Sequence, residues 1–218
     1  MLPDEAKWLG TVLSTVDPHS ISPILNVGAS TEKFRREIQP WINEFVIAPA
    51  TRNGIRFIHA DIKKDVGIDI SGDLTDPHFL ETLASLQLKS ILCANLLEHV
   101  EDRMAICRAL EGVLEPGGLL IVTVPYRYPY HPDPIDTGFR PTPEELFTFF
   151  PNCSIATSTI LPCGTYLNRL LADRSLFAKT LLRLSVPFYR PRSWWNAARY
   201  LPWLFKQYRV TCVVFQRR

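Results

Sequence analysis

Short apolar segments alternate with amphipathic segments along most of the chain. The amphipathic segments predict helices at 31–43, from 77, at 102–114 and from 143, each between apolar runs. The apolar runs predict strands at 24–28, 56–61, 67–73, 89–95, 119–124, 154–161 and 210–215. Because short apolar strands that alternate with helices are typical of parallel sheets covered on both sides, we expect a mostly parallel α/β sheet.

Polar residues follow three of these strands, and ligands of such sheets bind at the carboxyl ends of the strands. Asp61 is placed to accept hydrogen bonds from ribose hydroxyls, Asp73 to contact an adenine amino group, and Asn95 to lie beside them. Glu44 is the alternative ribose ligand if the second strand is misplaced. Either aspartate alone is compatible with a surface turn, whereas three polar residues at successive strand ends indicate a binding site.

The loop after the first strand argues against a dinucleotide. A dinucleotide fingerprint requires Gly-x-Gly-x-x-Gly, and here Gly28 is followed by Ser30 and Lys33 at the second and third glycine positions. Glu32 also lies near the start of the next helix, where a carboxylate repels phosphate. A nucleoside ligand with an amino-acid end fits this loop better, and a dehydrogenase is the least favoured alternative.

Five segments together resemble the S-adenosylmethionine-dependent methyltransferases of the Rossmann-like class. The most similar group is methyltransferase type 11, often found with bacterial surface-glycan and lipid biosynthesis. The pattern Leu-Glu-His-Val followed by Leu-x-Pro-Gly-Gly is quite specific to this class. The resemblance covers roughly residues 20–160 and a final strand, and is carried by residues 24–30, 59–62, 67–73, 92–100 and 110–119.

The resemblance implies a seven-stranded, mostly parallel sheet with the last strand antiparallel and helices on both faces. It also implies S-adenosylmethionine as the cofactor. Gly28 would let the backbone approach the methionine part of the cofactor, and Asp61 would bind the ribose hydroxyls. The other implied cofactor residues are Asn26, Ala29, Ser30, Ile62, Asp73, Leu74 and Asn95. Asn26 replaces the usual acidic residue and Ser30 the usual second glycine. Because of these two departures, the alternative function is a non-catalytic scaffold protein with the same fold.

Two histidines are candidate catalytic residues. Methyl transfer from a sulfonium depends on alignment, and an oxygen or nitrogen acceptor can also need a general base. His99 follows the fourth strand, and His131 lies in a proline-rich loop; their structural alternatives are a helix cap and a salt-bridged loop. In the same loop the resemblance matches Asp136 and Arg140 as partners of His131, and we expect these two and Tyr126 to bind the acceptor. No metal is predicted, because His131, Asp133 and Asp136 do not form a clear ligand set.

Composition narrows the class of protein. The 218 residues are 46% hydrophobic and 21% charged, which predicts one globular domain over 1–218 and excludes disordered and collagen-like chains. The five dispersed cysteines form no Cys-x-x-Cys pair, and the first residues lack a signal-peptide pattern. We therefore expect a cytoplasmic protein with reduced thiols, and no disulfide framework.

The formal charge of +2 conceals a strong asymmetry. Residues 1–168 contain 13 Lys/Arg and 21 Asp/Glu, whereas 169–218 contain 11 Lys/Arg and one acid, Asp173. We name residues 163–209 the insertion, because they exceed what is needed to connect the last two strands; they include Arg190 and Arg199 among their basic residues.

Aromatic and basic residues interleave along the insertion, which predicts a basic, aromatic-rich helical segment before the last strand. This pattern is typical of interfacial helices, so peripheral contact with a membrane or a lipid-linked acceptor is one interpretation. A helical cap or a homodimer surface is another. Nucleic acid is the least favoured partner, because no recognisable nucleic-acid-binding module accompanies the segment. The predicted acceptor is accordingly a small molecule, a glycan or a lipid-linked molecule.

Overall fold

The computed structural model describes residues 1–131, 135–185, 188, 191–198 and 200–218, without the side chains of Ser193 and Asn196. The strands are β1 Ile24–Val27, β2 Phe57–Asp61, β3 Ile70–Ser71, β4 Leu88–Ala94, β5 Leu114–Arg127, β6 Cys153–Pro162 and β7 Arg209–Arg217. The α-helices are α1 Pro3–Thr15, α2 Pro18–Ile21, α3 Ala48–Arg52, α4 Pro77–Ala84, α5 Arg103–Val113, α6 Pro143–Phe147, α7 Tyr166–Ala172, α8 Arg174–Ser185 and α9 Pro191–Ala198. Two π-helical segments, Phe34–Ile38 and Ile42–Ile47, and two 3₁₀ segments, Leu97–His99 and Leu201–Leu204, complete the described elements.

The seven strands form one sheet in the order β3-β2-β1-β4-β5-β7-β6. Strand β7 is antiparallel to both of its neighbours, and the other neighbouring pairs are parallel. This confirms the predicted sheet, including its antiparallel last strand. The chain leaves β1 toward one edge and returns to β4 on the other side, so the switch point where ligands bind lies between β1 and β4.

Side chains of successive strand residues enter two separate cores, one on each face of the sheet. Along β5, Leu120 and Val122 pack with α4, α5 and α6, whereas Ile121 packs on the opposite face with α1 and α3. This alternation follows from the two-residue period of a strand. The helices therefore cover both faces, as predicted.

Helix α1 was not among the predicted elements. It buries one face of residues spaced by one turn, namely Glu5, Ala6, Leu9 and Leu13. Gly10 permits a close approach to the second π-helical segment, because a Cβ built there would lie 2.1 Å from the backbone oxygen of Phe45. The start of α1 thereby lies against the sheet next to the switch point.

Three predicted elements have different bounds in the structure. The predicted third strand at 67–73 reduces to Ile70–Ser71, because Gly67 turns the chain with a φ of +81°. The fifth strand begins at Leu114, five residues earlier than predicted. The helix predicted at 31–43 is instead two π-helical segments separated at Gln39, next to Pro40, which cannot donate a backbone hydrogen bond.

The insertion contains α7, α8, α9 and the last 3₁₀ segment. Its buried residues Tyr166 and Leu170 pack with Val210 and Cys212 of β7, and Trp8 of α1 contacts the same cluster. Arg190 and Arg199 lie outside the described residues, as does Asp133 of the proline-rich loop. No helix within the described ranges combines the length and the apolarity needed to cross a bilayer.

Candidate functional site

A cleft of about 1240 Å³ lies at the carboxyl ends of the parallel strands. One end is lined by the loops after β1, β2 and β3, which contribute Gly28, Asp61 and Asp73. The start of α1 and the insertion line the other side, the latter through residues such as Arg169. The cleft exceeds the roughly 300–1,000 Å³ of a typical single-ligand pocket, so it offers room for two ligands.

The first loop adopts the backbone that a glycine-rich loop requires. Gly28 has a φ of +63°, and a Cβ there would lie 3.1 Å from the side chain of Leu96. Ser30, at the second glycine position, also lies in the left-handed region with a φ of +55°. The departure from glycine at this position therefore changes the residue type but not the loop conformation.

The carboxylate of Asp61 connects two neighbouring strand ends. Its Oδ2 accepts a hydrogen bond of 2.9 Å from Ser30 N, and its Oδ1 accepts one of 3.1 Å from Lys63 N. Each carboxylate oxygen can accept a second bond, so the group can still bind a pair of hydroxyls. Glu44, the alternative ribose ligand, is exposed and is not among the described residues that line the cleft.

A buried arginine that was not predicted holds the same loop. Arg35 is only 4% exposed, and its guanidinium donates hydrogen bonds to Ala29 O (3.0 Å), Ser30 O and Gly67 O (2.7 Å). Burial lowers the pKa of this guanidinium. Because Arg35 satisfies carbonyls of two separate loops, it keeps Ser30 in place beside Asp61.

Asp73 is held in a turn at the same end of the cleft. Its Oδ1 accepts hydrogen bonds of 2.8 Å from both the backbone and the hydroxyl of Thr75, and these bonds lower the pKa of Asp73. Leu74 lines the cleft beside it, and Ile62 lies exposed at the rim. Asn26 and Ala29 complete this end, with Asn26 Nδ2 lying 3.2 Å from His59 Nδ1.

Helix α1 brings a buried carboxylate to the switch point. Glu5 is fully buried, and its Oε1 accepts hydrogen bonds from Asn95 Nδ2 (2.7 Å) and Thr123 Oγ1 (2.6 Å). Its Oε2 accepts a bond of 2.9 Å from Leu2 N. Asn95 has a φ of +52°, a conformation that asparagine tolerates better than most residues. Glu5 therefore orients a predicted cofactor residue, although Glu5 itself was not predicted.

A second group of ionisable side chains lines the cleft after β4. Glu98 is fully buried, and neither of its carboxylate oxygens has a hydrogen-bond partner among the described residues. Burial raises the pKa of Glu98 to about 8. His99 Nε2 lies 3.7 Å from Glu98 Oε1, and the ring of His131 packs edge-on against that of His99 with centroids 5.3 Å apart. The two predicted catalytic histidines are thus adjacent, with Glu98 beside them.

The proline-rich loop positions His131 through Asp136. Burial alone would raise the pKa of Asp136, but hydrogen bonds from Arg140 (2.6 Å), His131 N and Gly138 N lower it to about 2. Asp136 and Arg140 are not among the described residues that line the cleft, so they reach it only through His131. Tyr126 does not line the cleft either, because β5 continues to Arg127; Tyr128 and Tyr208 are tyrosines that do line it.

No protein-family model and no curated protein matches the sequence. Solved structures do match over nearly the whole chain. Coclaurine N-methyltransferase bound to N-methylheliamine and SAH is 14% identical, with a TM-score of 0.61 over 98% of this chain and 70% of that chain. A provisionally named sarcosine dimethylglycine methyltransferase from Galdieria sulphuraria is 11% identical, with a TM-score of 0.58 over 97% and 84%.

The same comparison finds a protein that is named for a different reaction. The [4+2]-cyclase SpnF is 14% identical, with a TM-score of 0.51 over 97% of this chain and 80% of that chain. At these sequence identities the likeness shows the architecture of this chain and not its activity, which depends on the residues of the site. The chain has the Rossmann-like fold of the S-adenosylmethionine-dependent methyltransferases.

Proposed function

We propose that this chain is an S-adenosylmethionine-dependent methyltransferase that acts on an oxygen or nitrogen of a small, glycan or lipid-linked acceptor. The observation that carries the proposal is the bond between Asp61 and Ser30 N, which places a carboxylate beside the left-handed first loop. The fold alone would not suffice, because a cyclase shares it.

The residues present fit this cofactor. A side chain at position 28 would press against Leu96 in the loop after β1. Ser30 adopts the left-handed backbone conformation that the glycine at this position would adopt. Asp61 would hold the ribose hydroxyls, and Asp73 with Leu74 would hold the adenine. When bound, S-adenosylmethionine supplies a methyl group on a positively charged sulfonium.

The chain contributes chiefly alignment to such a reaction. Asn95, oriented by Glu5, would lie near the methyl donor, while His99 and His131 would face the acceptor across the same cleft. Fixing two reactants in one cleft removes much of the entropic cost of bringing them together. Asp136 supports this role, since its carboxylate accepts a hydrogen bond from His131 N and lies 3.1 Å from His131 Nδ1.

Ligand binding to the purified chain tests the proposal. In isothermal titration calorimetry we expect binding of S-adenosylmethionine and no binding of NAD⁺, with Glu44→Ala as a control that leaves affinity unchanged because Glu44 lies away from the cleft. A folded chain that gives no heat with S-adenosylmethionine would disprove the function. Binding without transfer of labelled methyl to any component of a cell extract would favour the non-catalytic scaffold instead.

The surface of the insertion supports peripheral contact with a membrane. Eight of the fifteen exposed large apolar side chains of the described chain lie in it, among them Phe188 (98% exposed) and Phe205 (82% exposed). Basic residues such as Arg192 and Lys206 lie close to them in sequence. Exposed apolar residues on a basic segment are the features that bind an anionic bilayer surface. A lipid-linked acceptor would then be presented next to the cleft, which the insertion itself lines.

Co-sedimentation with vesicles tests this contact. We expect the chain to sediment with anionic vesicles and much less with neutral ones, and Phe188→Ser/Phe205→Ser to lose most of the binding. Val66→Ser/Met104→Ser removes two exposed apolar side chains elsewhere and serves as the matched control. Equal recovery with both vesicle types would contradict the proposal. So would variants that leave vesicle binding unchanged but convert a dimer to a monomer in light scattering, because the surface would then be a homodimer interface.

A further inference from the structure

We propose that Glu98, His99 and His131 form a binding site for a divalent transition-metal ion of the Zn²⁺ type, with open coordination positions toward the cleft. Each of the three residues offers one ligand atom, and these atoms all lie within 4.8 Å of one another. All three residues line the cleft. Glu98 was not among the predicted site residues.

The distances suit a shared ion. Ligands that each lie about 2.0–2.2 Å from one tetrahedral Zn²⁺ are roughly 3.4 Å apart. The 3.7 Å between His99 Nε2 and Glu98 Oε1 is already close to this separation. Because all three separations are within 4.8 Å, the ligand atoms need to approach one another by at most about 1.4 Å to reach this spacing.

The carboxyl group of Glu98 is fully buried, and neither of its oxygens has a hydrogen-bond partner among the described residues. A buried carboxylate in this condition is costly, and proteins keep such groups when they are paired or coordinate a metal. A cation on the cleft side of Glu98 would satisfy both oxygens.

Both histidines are held in the manner of metal ligands. The Nδ1 of His99 contacts the backbone oxygen of Ile135, and the Nδ1 of His131 lies 3.2 Å from Pro129 O and 3.1 Å from Asp136 Oδ2. A proton on each Nδ1 satisfies these acceptors and leaves each Nε2 with a lone pair. Metal-ligating histidines usually donate their second ring nitrogen to a carbonyl or carboxylate in this way. Asp136, fixed by Arg140, is then a positioning residue for His131.

The ligand set also indicates the kind of ion and its use. Two imidazoles and one carboxylate are typical of catalytic Zn²⁺ and related ions, and leave positions for a substrate oxygen. This use rests on the proposed function: an acceptor hydroxyl bound there would lose its proton to water more easily. Its oxygen would then bond to the methyl carbon as the carbon–sulfur bond breaks, with the electron pair remaining on sulfur. His99 and His131 would act through the ion and not as general bases.

Metal titration tests the site without the cofactor. After removal of adventitious metal with a chelator, we expect the chain to bind one equivalent of Zn²⁺ by calorimetry and one of Co²⁺ by visible absorption. Glu98→Gln and His131→Ala should each weaken binding at least tenfold. The five cysteines are all buried, so they do not compete for the ion.

A matched control is available on α4. His78 and Glu81 are also a histidine and a glutamate 3.7 Å apart, but both are exposed, so His78→Ala and Glu81→Gln should not change metal affinity. In the absence of metal, Glu98→Gln should be at least as stable as the original chain in urea unfolding, because it removes an unpaired buried carboxylate. Unchanged or higher stability of Glu98→Gln, together with its weaker metal binding, would show that Glu98 is a metal ligand and not a residue that stabilises the fold.

Two outcomes would overturn the proposal. One is a folded chain that binds neither Zn²⁺ nor Co²⁺; the other is unchanged affinity in Glu98→Gln and His131→Ala when both fold by circular dichroism. Added Zn²⁺ should also raise the melting temperature of the original chain and not that of the variants. These readouts do not involve S-adenosylmethionine, so failure of the metal site and failure of the methyltransferase proposal are distinguishable.

Discussion

Replacement of Glu5 by alanine is expected to destabilise the folded chain by about 3 kcal/mol. The substitution leaves the buried Thr123 Oγ1 and the half-buried Asn95 Nδ2 without their shared acceptor. Buried donors that lose a charged partner cost more than the bond itself contributes. Urea unfolding followed by circular dichroism measures the change as a lower transition midpoint.

Two further variants show whether the hydrogen bonds cause this loss. Thr123→Val removes one donor at nearly constant volume and should cost about 1 kcal/mol. Glu81→Ala removes a glutamate that is exposed on α4 and should have little effect. Equal midpoints for Glu5→Ala and Glu81→Ala would show that the buried network contributes nothing to stability.

Replacement of Asp61 by alanine is expected to weaken binding of S-adenosylmethionine about a hundredfold, and by asparagine about tenfold. Asparagine retains one oxygen acceptor but loses the charge, whereas alanine also removes the bond to Ser30 N that holds the first loop. A charge-assisted hydrogen bond contributes roughly 1.5–3 kcal/mol, and each 1.4 kcal/mol is a factor of ten in affinity. Calorimetric titration of both variants with S-adenosylmethionine measures these two losses of affinity.

Asp65→Asn provides the control for Asp61. Asp65 is exposed in the same connection and is not among the described residues that line the cleft, so its substitution should leave affinity unchanged. If Asp61→Ala binds the cofactor as tightly as the original chain, the ribose role of Asp61 is wrong. If Asp61→Asn and Asp61→Ala weaken binding equally, the bond to Ser30 makes no separate contribution.

The positions of most strands along the chain were predictable, because apolar runs and glycines are local signals. Gly28, Asp61, Asp73 and Asn95 follow these runs, and the structure brings them to one cleft. Their proposed contacts with a cofactor remain predictions. The parallel arrangement explains this success, since strand ends that are far apart in the sequence meet at one edge of the sheet.

The sequence contains a signal for the buried position of Glu5. Glu5, Leu9 and Leu13 lie on the same face of α1, so a carboxylate occurs in an otherwise apolar helical stripe. A charged residue on such a stripe indicates a buried partner. The partners themselves, on β5 and after β4, are about ninety or more positions away and could not be identified from a single sequence.

Glu98 lies in the Leu-Glu-His-Val pattern, but that pattern did not assign it a role in the site, and Arg35 lies in no motif. The roles of both residues depend on which oxygens or nitrogens surround them after folding. His99 and His131 were identified separately, and the contact between their rings arises only in the folded chain. Side-chain convergence of this kind is a property of the tertiary structure and not of local pattern.

The position of β7 determines when during synthesis the protein can become functional. Strand β6 pairs only with β7 among the described strands, and β7 leaves the ribosome after both of its neighbours and after the whole insertion. Until then β6 is separated from the sheet, and the helices of the insertion have no β7 residues to pack on. A nascent chain therefore exposes the apolar surface of an unfinished sheet, and chaperones bind surfaces of this kind. The sheet and the part of the cleft wall that the insertion forms can therefore be completed only after β7 has been synthesised.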